Sequence, residues 1–236
     1  MSKTEKADYI LLGYFVILLA FGLIMLTSAG SAVGHEKFGD SYFFIKRQLL
    51  FGVLPGLFLF FFFSKLGYRI LKRWSTAFYI LTIGLLLMVF IPGLGSAYGT
   101  NAKSWLVLFG YSFQPAEIAK LAMIIFISAF ISRKGKQLFD LKEGFLVTLG
   151  VGLIPVILVV LQPDIGTVSI LFAILFGLLY VGRAKLPHII GLAGSGITAL
   201  VIMIMAAPYR AARFMTFLHP ELDPQGVGYH INQAFL

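Results

Sequence analysis

Residues 144–181 read GFLVTLGVGLIPVILVVL, then QPD, then IGTVSILFAILFGLLYV. Two apolar runs of about 18 and about 17 residues are joined by the short link Gln162-Pro163-Asp164. A helix needs about 20 mostly apolar residues, within a range of about 17–25, to cross the hydrocarbon core of a bilayer. The pair therefore reads as a membrane hairpin that turns at, or just inside, the membrane boundary. Neither run alternates like a strand, and each is too long for a membrane β-strand of about 9–11 residues. Pro163 stops the first helix, because proline disfavours helical geometry in the residue before it. Asp164 is placed to cap the second helix, and Gly166 removes bulk where something must come close. Irregular backbone at this depth is tolerated only against protein or a water-filled cavity. The link is either a simple capped hairpin or one wall of a polar site, and both readings stay open.

Five further runs have the same character, at about 9–28, 49–64, 76–94, 115–132 and 187–207, the second carrying Phe60, Phe61, Phe62 and Phe63. The fold class expected is all-α: a polytopic helical membrane protein with about seven transmembrane helices, forming one integral membrane domain over residues 1–236. Composition agrees. The chain has 236 residues, is 59% hydrophobic and only 12% charged, and contains no cysteine. Soluble domains carry about 25% charged residues, and disordered chains are apolar-poor, so both classes are excluded. Disulfide scaffolds and cysteine-based metal sites fall with the cysteine count.

The net charge of +9 reports topology rather than nucleic-acid binding. With the N-terminus cytoplasmic, twelve Lys and Arg residues fall in inner segments. Six fall outside: Lys37, Lys46, Arg47, Lys103, Arg210 and Arg213. Short-loop Lys and Arg favour the cytoplasmic side, so the N-terminus is expected inside. Lys3, Lys6 and the following apolar run resemble a signal peptide, but the run exceeds the usual length of about 7–15 residues. It is read as a retained helix. The chain ends on Asn232-Gln233-Ala234-Phe235-Leu236, read as the start of another apolar run, so the chain is expected to be interrupted there.

Charges within membrane spans usually face a bundle interior or a wet cavity. The fourth run opens Gln114-Pro115-Ala116-Glu117-Ile118-Ala119-Lys120. Pro115 suits a first helical turn, and Glu117 lies where the helix dipole favours a negative charge. Lys120 follows three residues on, within pairing reach. Two readings are open: a self-neutralising pair that glues helices together, or a polar face lining a cavity for an anionic ligand. Trp105 is read in a loop with Asn101, Lys103 and Ser104, either as an interfacial anchor or as part of that cavity. Arg210 and Arg213 are either interface residues or a phosphate clamp. Together these residues suggest an outward-facing polar cavity for a phosphorylated amphiphile. Gly191, Gly194 and Gly196 suit helix packing, and the four histidines show no metal-ligand spacing.

At these positions the chain resembles the RodA/FtsW/SpoVE, or SEDS, family. The resemblance rests on Leu26-Thr27-Ser28-Ala29, Lys46-Arg47-Gln48, Asn101-Ala102-Lys103-Ser104-Trp105-Leu106, Phe113 to Lys120, and Gln162 to Thr167. It continues through Pro220-Glu221-Leu222-Asp223-Pro224-Gln225-Gly226-Val227-Gly228-Tyr229-His230 and Asn232-Gln233. The Ser-Ala ending of the first run and the Asp-Pro-Gln-Gly tail are more similar to the FtsW branch than to RodA.

The resemblance implies a peptidoglycan glycosyltransferase that polymerises lipid II at the outer face of the bacterial cytoplasmic membrane, in division or elongation, with the septum as one site. Implied partners are lipid II (an undecaprenyl-pyrophosphate-linked disaccharide peptide), a class B penicillin-binding transpeptidase, other division or elongation membrane proteins and membrane lipids, with no nucleic acid. By the resemblance, Trp105, Glu117, Lys120 and Asp164 fall on motif positions around the family's central cavity; with Gln114, Arg210 and Arg213 they are the candidate substrate-binding residues. The family has ten spans and a catalytic aspartate in a His-Thr-Asp motif after the seventh. Asp223 and Glu221 do not match that motif, so the catalytic residue is expected beyond Leu236, and the 236-residue fragment alone is expected to be inactive. No metal site or cofactor is evident, with a divalent cation left open. A lipid II flippase and a non-catalytic division scaffold are the alternatives.

Overall fold

The computed structural model describes residues 8–97, 102–108, 111–206 and 215. It falls into two compact units, residues 1–68 and 69–236. Seven apolar helices run through the described residues. Six are long and apolar enough to cross a membrane, and the seventh, Ile165–Val181, is shorter at 17 residues.

The first unit is a hairpin of α1 (Tyr9–Phe38) and α2 (Phe43–Lys65). Asp8 starts α1 by accepting hydrogen bonds from the Ile10 and Leu11 amides at 3.0 Å. Gly39 ends it with φ +69°, a left-handed turn that glycine adopts without a Cβ penalty. The sequence expectation ended this helix near residue 28. It runs ten residues further, because Ser28-Ala29-Gly30-Ser31-Ala32 contains small residues but no helix breaker. Gly30 and Gly34 serve packing: a Cβ on Gly30 would lie 3.2 Å from the Phe44 ring, and one on Gly34 2.8 Å from the Asp40 carbonyl. The second helix likewise starts at Phe43, ahead of the expected 49, with Lys46 and Arg47 inside it. A π-turn at Leu49–Val53 precedes Pro55. A wider turn there relieves the clash of a proline ring with the carbonyl four residues back. Phe15 of α1 stacks on Phe60 of α2 at 5.5 Å between ring centroids.

The second unit contains α3 (Tyr68–Met88), α4 (Pro115–Lys134), α5 (Leu141–Val160), α6 (Ile165–Val181) and α7 (Leu186–Met205). Its centre is α6, which packs against α4, α5 and α7. Val168, Leu171, Leu175 and Leu179 recur at helical spacing on its buried face, the last three fully enclosed. This enclosure explains how the shortest helix is held: protein, rather than lipid alone, surrounds it.

Lipid tails are as apolar as leucine, so helix association in a bilayer rests on close packing and interhelical hydrogen bonds rather than on the hydrophobic effect. Both are present. A Cβ on Gly152 would lie 2.3 Å from Leu175 Cδ1, and one on Gly196 2.3 Å from the Phe172 ring, so α5 and α7 approach α6 closely. Tyr79 of α3 stacks on Phe126 of α4 at 4.3 Å and donates its hydroxyl to the Val151 carbonyl of α5. Of the three glycines singled out in α7, Gly196 has this packing role. A Cβ on Gly191 or Gly194 would meet nothing outside the helix's own backbone within 4 Å among the described residues.

The all-α expectation misses one feature. Between α3 and α4 lies a small antiparallel sheet, ordered β1 (Gly95–Ser96), β2 (Trp105–Leu108) and β3 (Tyr111–Phe113). Gly95 pairs with Leu106, and Leu106 with Phe113. Trp105 therefore stands in a strand, not the expected loop. The third span was expected to reach 94 but stops at Met88. Pro92 turns Ile91 away from helical geometry, and Gly93 follows with φ +89°. A Cβ on Gly95 would lie 2.0 Å from the Val89 carbonyl, so only glycine fits where β1 crosses the end of α3.

Candidate functional site

The site begins where β3 runs into α4. Gln114 is the N-cap residue of α4, with extended backbone (φ −101°, ψ 111°) and no side-chain bond to its own helix. Pro115 takes the first helical position. The freed Gln114 side chain reaches another helix instead: Nε2 donates to Asp164 Oδ2 at 2.9 Å.

Asp164 caps α6, as its position in the sequence suggested. Its Oδ1 accepts from the Thr167 amide at 3.1 Å, and its Oδ2 accepts from Thr167 Oγ1 at 2.9 Å. Two helix N-termini thus meet at one half-buried carboxylate. The same link is tied to α3. Gln162 is 1% exposed and donates Nε2 to the Leu86 carbonyl at 3.2 Å, while its Oε1 has no hydrogen-bond partner among the described residues. The sequence reading did not single out Gln162 or Thr167 as site residues. A polar residue on each side of the Pro163-Asp164 turn was the available signal.

Along α4, Gln114, Glu117 and Lys120 fall at steps of three and share one flank of its first two turns. Glu117 and Lys120 form an ion pair at 2.7 Å, with side-chain exposures of 60% and 23%. Trp105 is half-buried in β2, beside the buried Ser104 and the exposed Lys103. Gln114 and Asp164 are therefore brought together, as are Glu117 and Lys120. Arg210 and Arg213 lie outside the described residues, as do Asn101 and the tail motif from Pro220 to Gln233.

Polar groups also gather at two other helix ends. In the first unit, Asp40, Phe43, Lys46, Arg47, Leu50 and Phe51 line an open cavity of about 380 Å³. The Lys46 ammonium, 2.7 Å from Asp40, and the Tyr42 amide hold the Asp40 carboxyl below the usual carboxylate range. In the second unit, Asp140 caps α5 by accepting from the Glu143 and Lys142 amides at 2.8 Å. The Glu143 amide, then the Lys142 amide and the nearby Lys185 and His188, lower its pKa against a smaller opposing effect of desolvation. Among the described residues, no three His, Cys, Asp or Glu side chains form a group that could hold a metal.

Comparisons with known proteins place this geometry in context. A family model for FtsW, RodA and SpoVE, described as a cell cycle protein, matches residues 9–236. The chain is 34% identical over 233 residues to Stage V sporulation protein E of Bacillus subtilis, covering 99% of this chain and 63% of that protein. It is 35% identical over 235 residues to the "Probable peptidoglycan glycosyltransferase FtsW" of Nitrosococcus halophilus, covering 100% of this chain and 60% of that one. It therefore spans under two thirds of the length of these curated relatives. Among solved structures, a chain described under "Structural coordination of polymerization and crosslinking by a peptidoglycan synthase complex" matches with TM-score 0.64 and 26% identity. That match covers 91% of this chain and 63% of the other. The Rod shape determining protein RodA of Thermus thermophilus matches with TM-score 0.55 and 25% identity, over 78% of this chain and 59% of that one.

Proposed function

The chain belongs to the FtsW/RodA/SpoVE family, and from that premise we propose that it forms part of a peptidoglycan glycosyltransferase that polymerises lipid II. The observation that carries this reading is the family match across residues 9–236 of a multi-pass membrane protein. The relatives named as peptidoglycan glycosyltransferases support it.

In this reading the protein lies in the cytoplasmic membrane with its N-terminus inside, at the septum when division is the process served. The polar site then faces outward. Lys120 supplies a cation to the pyrophosphate of the lipid-linked substrate, Glu117 holds that cation in place, and Trp105 offers an aromatic surface to the sugar or isoprenoid. Arg210 and Arg213 are proposed to add phosphate contacts. A glycosyl transfer of this kind needs a base to take the proton from the attacking sugar hydroxyl. Glu117 is committed to Lys120, and Asp164 accepts three hydrogen bonds, so neither is assigned that task. The proposed partner is a class B penicillin-binding transpeptidase, with other division or elongation proteins nearby.

The test uses the full-length protein with its transpeptidase and fluorescent lipid II. Glycan polymer supports the proposal. Transbilayer movement without polymer favours a flippase, and neither activity favours a scaffold. EDTA followed by magnesium in the same assay shows whether a divalent cation takes part. Orientation is accessible because the chain has no cysteine. Under the proposed topology, Lys103→Cys is labelled by a membrane-impermeant maleimide in intact cells and Lys136→Cys is not.

A further inference from the structure

We propose that Gln114 is a positioning residue acting through Asp164, and that the Asp164 carboxylate serves as an acceptor hub joining α4 to α6 rather than as a proton carrier. The proposal rests on the transferase reading only for its kinetic arm.

Three donors converge on the carboxylate. Oδ2 accepts from Gln114 Nε2 and Thr167 Oγ1, each at 2.9 Å, and Oδ1 accepts from the Thr167 amide at 3.1 Å. An ionised carboxylate can only accept, through about four lone-pair sites, and three are engaged here. Two of the donors come from the helix that Asp164 caps, and the third crosses to another element. The Gln114 backbone carbonyl accepts from the Glu117 amide at 3.0 Å, but its side chain makes no bond to its own helix end and is available for that crossing.

The bridge has something to position. Gln114 is the residue between β3 and α4, and Glu117 and Lys120 follow it on the same flank. Loosening Gln114 from Asp164 frees the end of α4 that carries the ion pair.

Hydrogen-bond chemistry makes the pair exchangeable. In Asp164→Asn, Oδ1 still accepts from the Thr167 amide, while Nδ2 donates to a Gln114 amide turned to present its oxygen. The Thr167 hydroxyl rotates to accept. In Gln114→Glu, two carboxylates face each other, and the crossing donor is lost. Combining both changes places the carboxylate on residue 114 and the amide on residue 164, restoring one donor and one acceptor.

The experiment compares wild type, Gln114→Glu, Asp164→Asn, Asp164→Ala and the exchanged double variant in the full-length protein. Unfolding temperature in detergent and lipid II polymerisation kinetics are measured, the latter where every variant is folded. Asp164→Asn is expected to unfold near wild type, and Asp164→Ala and Gln114→Glu clearly below it. Gln114→Glu raises the KM for lipid II by about fivefold or more. Lower stability alone would reduce only the active fraction. The double variant recovers both quantities. The proposal is overturned if Asp164→Asn unfolds as early as Asp164→Ala, or if the double variant is no better than Gln114→Glu. It is also overturned if the double variant regains stability while kcat stays at the Asp164→Ala level, which would assign the carboxylate to the chemistry. If wild type makes no polymer, the transferase reading fails, and the unfolding temperatures still decide on the bridge.

Discussion

Lys120 Nζ lies 2.7 Å from both carboxylate oxygens of Glu117, three residues back along α4. The lysine is the more enclosed partner, at 23% exposed against 60% for the glutamate. The spacing is one that a helix supplies by itself, so the pair needs no tertiary support to form. Its value to the fold and its value to the reaction can therefore be separated.

Glu117→Ala and Lys120→Ala are each expected to change stability little, because exposed ion pairs contribute about 0.2–1 kcal/mol. Each is expected to lower lipid II polymerisation by about tenfold or more, since Lys120→Ala removes the charge-assisted contact to phosphate and Glu117→Ala leaves its cation unheld. Exchanging the charges, Glu117→Lys with Lys120→Glu, re-forms the pair with the cation one turn away. Unfolding temperature should recover in that variant and polymerisation should not. Normal polymerisation by the exchanged variant would show that the pair only joins helices.

Close helix contacts set a second expectation. A Cβ on Gly144 would fall 1.9 Å from the Gln137 carbonyl, which is backbone, whereas one on Gly152 meets the side chain of Leu175 at 2.3 Å. Overpacking a core typically costs about 1–3 kcal/mol. Gly152→Ala should lie within that range, because Leu175 is fully buried and has little room to yield. Gly144→Ala should cost more, because the chain itself must move. Thermal unfolding of the two purified variants ranks them, and the reverse order would contradict this packing.

Asp140 sets a pH dependence. Its carboxyl is held below the usual carboxylate range, first by the Glu143 amide. A lowered carboxylate pKa stabilises the fold above the unfolded value, and the gain is lost as pH falls through the folded value. Asp140→Asn is therefore expected to unfold at a lower temperature than wild type near neutral pH. The gap should narrow below about pH 4. Unfolding temperatures of both proteins between neutral and strongly acidic pH check this, and a gap independent of pH would show that the charge has no part.

How much was legible in the sequence varies by element, for physical reasons. The span read at residues 165–181 coincides with α6, because Pro163 and Asp164 mark its start and the apolar run has a clear end. The Asp164 cap was legible because N-capping depends on residues within one turn. The Glu117–Lys120 pair was legible for the same reason. The overrun of α1 was not, since small residues permit both a helix and its end, and packing against Phe44 favours the helix. The sheet was also hidden. A two-residue strand at Gly95 and Ser96 has no periodicity to detect, and it exists only by pairing with Leu106 and Trp105 across the intervening chain.

By itself, the sequence determined what depends on composition and near neighbours. Apolar length specified membrane helices, and Pro115 and Asp164 marked the starts of α4 and α6. Charge spacing along α4 specified its ion pair. Tertiary structure alone decided which distant residues share a hydrogen bond: Gln114 with Asp164, Gln162 with Leu86, and Tyr79 with Val151. These contacts depend on how the helices pack, and in a bilayer the apolar pattern leaves that choice open, because lipid and leucine solvate a helix alike. Glycines, aromatic rings and a few polar groups, distributed along the chain, settle it.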